Sequence, residues 1–213
     1  MKCLVLSGGN VRGAYQAGAL AYMKPKPEHI VGTSIGAINA LVYNYSGPSG
    51  LEKHWMSVES RNDFLSSGFW RLLQFKKPKG LYSTSKLRSQ LKDILQEGTP
   101  GCTSYACVYD YKDGRVKYFN NKQQAYLDAV VASASEPFNM EPVGNWVDGG
   151  LNQQVPIKFA VEELGYMPEE TFAILTKPIS PDAAPSEYEH LIHGLEIATG
   201  LLASIPRGRP LKA

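Results

Sequence analysis

The sequence predicts an α/β protein with a mainly parallel sheet, and three features of the 213-residue chain support this. Residues 2–6 and 29–31 are short apolar runs with the length of buried strands, and a helical pattern separates them. This order is typical of parallel strands, because a parallel pair needs a long crossover. A hydrophobic content of 43% and a charged content of 20% fit a single globular domain of this length.

The first fifty residues contain the elements of one crossover unit. A glycine-rich turn follows the first strand, and residues 14–23 then predict a helix. The second strand runs directly into residues 35–45, which are apolar on nearly every side and therefore predict a buried helix. A turn is predicted at residues 47–50, which are Gly-Pro-Ser-Gly.

The rest of the chain predicts fewer regular elements. Residues 51–96 are helical and loop-rich, and strands at 105–111 and 115–119 flank Lys-Asp-Gly, a hairpin turn. The later predictions are a helix over 122–134, a Pro/Gly-rich segment at 137–150, a helix over 156–164 stopped by Gly165, a strand at 171–176, a loop at 178–185 and an amphipathic helix over 188–202. We expect one domain over 1–205 and a basic, flexible tail over 206–213.

Composition excludes several classes of function. A net charge of +2 does not indicate the strongly basic face that binds nucleic acid. Cys3, Cys102 and Cys107 are odd in number and lack metal-ligand spacing, which indicates free thiols in a reducing compartment. The N-terminus does not resemble a secretory signal, and no stretch approaches the roughly 18 apolar residues of a membrane span. We therefore expect a cytoplasmic protein whose only membrane contact is peripheral.

The junction of the second strand and second helix contains Gly32-Thr33-Ser34-Ile35-Gly36, the pattern of a nucleophile elbow. A serine in so sharp a turn needs small residues two positions away on either side, because larger side chains would clash. Its hydroxyl is then exposed at a helix N-terminus, where unpaired N–H groups and the helix dipole favour an oxyanion. The alternative is a buried serine in an ordinary strand–helix turn.

Two further segments could support chemistry. Residues 8–13, Gly-Gly-Asn-Val-Arg-Gly, follow the first strand, and their glycines let backbone N–H groups converge on an anion. This turn is either an oxyanion hole, a phosphate cradle or simply a tight turn. Asp148 ends the apolar run Trp146-Val147 and precedes two glycines. It is either a carboxylate presented at a strand end or part of an ordinary Asp-Gly turn.

Together and in this order, the three motifs resemble those of the patatin-like acyl hydrolase (phospholipase) family. Residues 132–138 and Val155-Pro156 also resemble the segments on either side of the family's aspartate, so the match covers 1–50 and 125–165. Asn10 stands where the family usually has a third glycine, and Gln153-Gln154 where Asn is more usual. The resemblance implies a three-layer sandwich around a mainly parallel sheet, a modified α/β-hydrolase topology.

The resemblance also implies a Ser–Asp dyad that hydrolyses acyl lipids such as phospholipids or lysophospholipids, without a metal or cofactor. Ser34 would attack the acyl carbonyl, and Asp148 would take its proton and later activate the hydrolytic water. Because a free aspartate has a pKa of about 4, the dyad requires either partial desolvation of Asp148 or assistance to Ser34 from the helix dipole. The other implied site residues are the elbow glycines Gly32 and Gly36, and an oxyanion hole of Gly8, Gly9, Asn10, Arg12 and Gly13, in which Arg12 stabilises the loop or a phosphate.

Other functions compete with this one. A carboxylesterase or thioesterase for small substrates would use the same dyad, and a pseudoenzyme would bind lipid without turnover. A nucleotide-binding module is a third alternative. However, residues 8–13 lack the second glycine of a dinucleotide fingerprint, no acidic residue ends the second strand, and the chain has no Gly-Lys-Ser/Thr.

Two more sequence features bear on these alternatives. His190 and His193 follow Asp148 in the order of a Ser–acid–His triad, but they lie opposite the apolar face of their predicted helix, so we expect them in solvent. His29 and His54 are predicted to be structural. Residues 69–79 mix aromatic and lysine side chains, which predicts either an interfacial lipid surface or a core helix followed by a basic loop.

Overall fold

A computed structural model describes residues 1–58, 66–67, 82–137 and 139–177. These residues form an α/β three-layer fold around a six-stranded sheet, as predicted. Within the described residues, no helix is both long and apolar enough to cross a membrane. The predictions for 69–79, 178–185, 188–202 with its two histidines, and the 206–213 tail lie outside the described residues.

The main elements occur mostly where the sequence predicts them. In chain order they are β1 (Cys3–Leu6), α1 (Gly13–Met23), β2 (His29–Thr33), α2 (Ile35–Met56), β3 (Ser66–Ser67), β4 (Tyr82–Ser83), α3 (Ser85–Glu97), β5 (Thr103–Asp110), β6 (Arg115–Asn120), α4 (Tyr126–Ser133), β7 (Trp146–Asp148) and β8 (Thr171–Ile174). Short helical turns cover Asn10–Arg12, Gly149–Leu151, Phe159–Glu163 and Pro168–Glu170.

The core of the sheet is parallel. Its strand order is β6-β5-β2-β1-β8, in which β1 pairs in parallel with β2 and β8, and β2 with β5. Strand β6 returns antiparallel beside β5 through a turn at Gly114, whose φ of 65° suits glycine. The predicted hairpin is thus confirmed, with β5 beginning two residues earlier than predicted.

Strand β7 extends the sheet beyond the carboxyl end of β2. One edge of β5 is occupied by β6 over residues 105–110. The other edge pairs with β2 over residues 103–107 and with β7, in antiparallel orientation, over residues 108–110. Thr33 lies opposite Cys107, and Asp148 lies opposite Val108, the next residue of β5. The sheet therefore brings Asp148 beside the residue that follows Thr33.

Two apolar layers cover the faces of the sheet. Leu4 and Leu6 of β1 belong to the larger core cluster, which includes residues of α1, α2, α3 and α4. The alternate residues Cys3 and Val5 pack on the other face with Ala160 of the turn Phe159–Glu163. Every residue of β1 is buried, as expected for a parallel strand covered on both faces.

Three helices differ from their predicted bounds. Helix α2 continues to Met56, with a break rather than a turn at Gly47 (φ 70°), because Pro48 is tolerated in the first turn of the resumed helix. Helix α4 begins only at Tyr126, because the Asn120 side chain accepts the Lys122 N–H and holds residues 121–125 in turns. The helix predicted over 156–164 includes a π-helical turn and is followed by Gly165 at φ 72°.

Candidate active site

Ser34 occupies a single-residue turn between β2 and α2. Its φ of 57° and ψ of −127° lie in a region that residues other than glycine rarely adopt. The Ser34 N–H donates a 2.8 Å hydrogen bond to Ser133 Oγ, and the Ala37 N–H donates one of 2.9 Å to the Ser34 carbonyl. The main chain at Ser34 is thus held in an unfavourable conformation by its surroundings.

The two glycines flanking Ser34 leave no space for a side chain. A Cβ on Gly32 would overlap the Gly36 carbonyl oxygen, directly across the turn. A Cβ on Gly36 would overlap the Leu6 carbonyl oxygen of β1. The predicted clash across the turn therefore explains Gly32, whereas Gly36 is required because α2 starts in contact with the neighbouring strand.

The Asp148 carboxylate lies beside the Ser34 hydroxyl. Ser34 Oγ donates a 2.7 Å hydrogen bond to Asp148 Oδ2, and the Gly150 N–H donates one of 2.7 Å to Oδ1. The Asp148 N–H donates to the Ser135 carbonyl at 3.0 Å, which fixes the end of β7. Both carboxylate oxygens accept hydrogen bonds, and the residue is only 9% exposed.

Burial raises the pKa of Asp148 to about 6. The hydrogen bonds from Ser34 and the Gly150 N–H oppose this increase in pKa, and the negative charge of Glu136 adds to it. A carboxylate with this pKa is mostly ionised at pH 7 and yet basic enough to accept a proton. Of the two alternatives predicted from the sequence, partial desolvation of Asp148 is therefore present.

A second layer of hydrogen bonds holds the Ser34 turn. Ser133, at the end of α4, accepts the Ser34 N–H and donates from Oγ to the Cys107 carbonyl of β5 at 2.6 Å. Both Ser133 and Ser135 are fully buried. The sequence of residues 132–138 indicates the resemblance to the family but not the role of Ser133. The signal in the sequence is the run of four small residues Ala132-Ser133-Ala134-Ser135, upstream of Asp148.

Two N–H groups of the glycine-rich loop donate hydrogen bonds to carbonyl groups of the protein. The Gly8 N–H donates to the Gln154 carbonyl at 2.9 Å, and the Gly13 N–H donates to the Asn10 and Val11 carbonyls. These two N–H groups of the predicted oxyanion-hole residues therefore donate within the protein. Both positions need glycine for packing instead, since a Gly8 Cβ would lie 3.1 Å from Ser34 Cβ and one on Gly13 would overlap Ile35.

Gly9 and Asn10, which follow Gly8 in the loop, differ from Gly8 and Gly13 in the use of their N–H groups. Within the described residues, no hydrogen-bond acceptor is found for the Gly9 and Asn10 N–H groups. Asn10 adopts a left-handed φ of 53°, which asparagine tolerates better than most residues. Asparagine in place of a third glycine is therefore compatible with this loop.

Buried amides fix the base of the glycine-rich loop. Gln16 Nε2 donates to the Ser7 carbonyl at 2.9 Å and to the Ile174 carbonyl at 3.0 Å. Asn39 Nδ2 donates to the Gly13 carbonyl at 3.0 Å and to Gln16 Oε1 at 2.9 Å. The network joins the loop to α1, α2 and β8, so the loop conformation depends on the packing of these three elements.

Gln154 is a site residue that sequence reasoning passed over. Besides accepting the Gly8 N–H, it places its side chain between two loops: a Cβ on Gly8 would lie 2.9 Å from Gln154 Nε2, and one on Gly150 would lie 2.6 Å from Oε1. The amide therefore lies close to both Ser34 and Asp148. The signal for Gln154 in the sequence is its departure from the Asn that is more usual in the family. The longer Gln side chain lies against both Gly8 and Gly150.

Ser34 and Asp148 open into a cavity of about 1090 Å³. Gly9, Asn10 and Arg12 also line it, so the cavity unites the predicted serine, acid and glycine-rich loop. Much of its wall is apolar and comes from α2, α3 and the segment before β7, with Ile35, Ile38, Trp55, Leu87 and Met140. Among the described residues, those that line it and carry a charge are Arg12, Glu136, Asp148 and Lys177.

No histidine is among the described residues that line this cavity. His29 lies at the amino end of β2, the opposite end from Ser34, where its Nδ1 forms a 2.5 Å hydrogen bond with the Tyr166 hydroxyl. Burial lowers the pKa of His29 and of His54. In the described parts of the chain, no group of three or more His, Cys, Asp or Glu side chains is arranged to hold a metal ion.

Comparison with known proteins agrees with the motifs. No curated protein matches the chain significantly. The sequence model of a family described as patatin-like phospholipase matches residues 4–161, which is most of the chain and includes Ser34, Asp148 and the glycine-rich loop. The chain therefore belongs to the patatin-like phospholipase family, a family of lipid acyl hydrolases.

Proposed function

We propose that this protein is a serine-dependent hydrolase that cleaves fatty-acyl esters of phospholipids or lysophospholipids with a Ser34–Asp148 dyad. The observation that carries the proposal is the 2.7 Å hydrogen bond from Ser34 Oγ to Asp148 Oδ2 at the base of a large, partly apolar cavity. A serine hydroxyl is a weak nucleophile unless an adjacent base accepts its proton. In this site Asp148 is the base within hydrogen-bond reach.

The acylation step uses both residues of the dyad. Ser34 Oγ attacks the ester carbonyl carbon while its proton passes to Asp148 Oδ2, which gives a tetrahedral oxyanion. Collapse of this intermediate breaks the bond to the lipid alcohol, and the leaving oxygen takes the proton from Asp148. The products are the free alcohol or lysolipid and an acyl group esterified to Ser34.

Deacylation repeats these steps with water in place of the serine. Asp148 accepts a proton from water as the water oxygen attacks the acyl-serine carbonyl. When the second tetrahedral intermediate collapses, Ser34 Oγ leaves and takes this proton back. The fatty acid is released, and the dyad returns to its starting protonation state.

Backbone N–H groups are the proposed donors to the oxyanion. The Gly9 and Asn10 N–H groups lack an acceptor in the described residues, and both residues line the cavity with Ser34. Ile35 begins α2, where the first N–H groups of a helix have no partner within the helix. Donors of this kind stabilise the developing charge without reorganising during the reaction.

We also propose peripheral contact with a lipid surface. Val11 and Leu151 line the cavity that contains Ser34, and their exposed fractions are 70% and 58%. Exposed apolar side chains at the opening of a cavity can enter the acyl region of a lipid layer. A lipid could then move from the layer to Ser34 without crossing bulk water.

Labelling with a fluorophosphonate probe tests the proposal directly. The wild type should be labelled, Ser34→Ala should not, and Asp148→Asn should be labelled much more slowly. The same three proteins are then compared on a phospholipid, a lysophospholipid and a short-chain ester. Hydrolysis of the short ester alone would indicate a small-substrate esterase, whereas a folded wild-type protein that is neither labelled nor active would contradict the dyad.

A further inference from the structure

Gln154 is a polar residue of the cavity that takes no part in the acylation step. It follows the turn Gly149–Leu151, is exposed, and lines the cavity that contains Ser34. Its main-chain carbonyl accepts the Gly8 N–H at 2.9 Å, which fixes its backbone. Its side-chain amide, in contrast, forms no hydrogen bond with another described residue. The two N–H bonds and the oxygen of this amide are therefore available in the cavity.

The Gln154 amide lies beside both residues of the dyad. A Cβ on Gly8 would lie 2.9 Å from Gln154 Nε2 and 3.1 Å from Ser34 Cβ. A Cβ on Gly150 would lie 2.6 Å from Gln154 Oε1 and 3.0 Å from Asp148 Oδ1. The amide nitrogen is thus close to the serine and the amide oxygen close to the carboxylate. Because the two oxygens lie within 3.0 Å of one point, a single water molecule can bridge them.

Deacylation makes a demand on this part of the cavity that acylation does not. In the free enzyme the Ser34 hydroxyl donates to Asp148 Oδ2 at 2.7 Å. Once Ser34 carries the acyl group it has no proton to donate, and the carboxylate must accept one from water instead. A water molecule has two O–H groups, and the base uses only one of them. A second acceptor that takes the other O–H fixes the direction of the oxygen lone pairs, which lowers the entropic cost of attack.

We propose that Gln154 positions the hydrolytic water, with Oε1 accepting one O–H of the water while Asp148 accepts the other. The water oxygen forms the new bond to the acyl carbon, and the O–H that donates to Asp148 breaks as its proton moves to the carboxylate. The O–H that donates to Gln154 stays intact and becomes the hydroxyl of the fatty acid. When the bond from the acyl carbon to Ser34 Oγ breaks, that oxygen takes the proton from Asp148. Gln154 is thus a positioning residue, and the inference rests on the proposed hydrolase function.

Competition between water and methanol tests this role, because methanol has a single O–H. Methanol donates that O–H to Asp148 and needs no second acceptor, so formation of the methyl ester is independent of the Gln154 amide. With p-nitrophenyl octanoate in dilute methanol, the readout is the ratio of methyl octanoate to octanoic acid at the steady state. Gln154→Met keeps the bulk of the side chain and removes its amide. We expect it to raise this ratio about tenfold by slowing hydrolysis alone.

The first turnover separates acylation from deacylation. The burst of p-nitrophenol that accompanies acylation should keep its wild-type rate in Gln154→Met, and intact-protein mass spectrometry should show more acyl-enzyme at the steady state. Gln153→Met is the matched control, since Gln153 is not among the described residues that line the cavity. It should leave the product ratio at the wild-type value. Gln154→Leu repeats the test with a second apolar side chain.

Two results would overturn the role of Gln154. A ratio of methyl octanoate to octanoic acid that stays at the wild-type value in both Gln154 variants would show that the amide does not act on the water. A burst that slows as much as hydrolysis does would show that Gln154 supports the dyad by packing. A wild type that forms neither p-nitrophenol nor an acyl-enzyme gives a different pattern, in which the hydrolase function fails and the inference fails with it.

Discussion

Burial of the Asp148 carboxylate makes it a better base and costs folding stability. Its pKa of about 6 lies above the ordinary value of 3.8, so the folded state holds the proton more tightly than the unfolded state. Between these two values the folded state binds more protons, and stability falls as the pH rises. Above pH 6 the full cost is present, and below about pH 4 it is absent.

Replacement of Asp148 by Asn should therefore change activity and stability in opposite directions. Loss of the base should lower kcat by a factor on the order of 10²–10⁴. Removal of a buried charge should raise the free energy of unfolding at pH 8 by about 1–3 kcal/mol, with little gain at pH 4. Urea denaturation at the two pH values measures this, and Asp93→Asn on the exposed side of α3 is the control. If the Asp148→Asn variant kept most of the wild-type activity, the dyad would be ruled out.

The pH dependence of hydrolysis should follow the ionisation of Asp148. Because the base acts only when deprotonated, kcat/KM should rise with pH through a midpoint of about 6 and then level off. The charge of Glu136 raises the pKa of Asp148, so Glu136→Gln should shift this midpoint to lower pH. Glu97→Gln, at the exposed end of α3, should not. A midpoint near 4 in the wild type would contradict the role of burial.

At the scale of elements, Ser133 joins α4 and β5 to the turn between β2 and α2. Ser133→Ala leaves the buried Ser34 N–H and Cys107 carbonyl without this partner, which should cost about 1–3 kcal/mol of stability. Relaxation of the turn should lower kcat more than it raises KM. The control is Ser135→Ala, since that hydroxyl donates to the Val131 carbonyl of α4, which ends two residues earlier, and not to the Ser34 turn. Equal kinetic effects in both variants would indicate a general loss of packing.

The structure of the first two strands, the hairpin and the acid at the end of β7 could be predicted because each depends on local pattern. What sequence could not predict depends on contacts between distant residues. The Gly8 N–H is used by the carbonyl of Gln154, which no local rule connects to it. Similarly, β7 has only three residues, and its place beyond the carboxyl end of β2 follows from pairing with residues 108–110 of β5.

At the scale of the whole molecule, parallel strands gather the site at one end of the sheet. The glycine-rich loop follows β1, Ser34 follows β2 and Lys177 follows β8, and these three strands run in the same direction. In open α/β sheets, ligands bind outside the carboxyl ends of the strands, often where connections diverge. The cavity, its lining residues Arg12 and Lys177, and the exposed Val11 and Leu151 are therefore on one face of the protein.

This arrangement predicts that one face of the protein binds lipid. Val11→Ser combined with Leu151→Ser removes two exposed apolar side chains at the cavity, which should weaken binding to vesicles about fivefold or more. Sedimentation with vesicles that contain anionic lipid measures the binding, and added salt should weaken it further through Arg12 and Lys177. Met167, 55% exposed before the amino end of β8, supplies the control variant Met167→Ser. If Met167→Ser reduces vesicle binding as much as the double variant does, lipid contact is not confined to the end of the sheet where Ser34 lies.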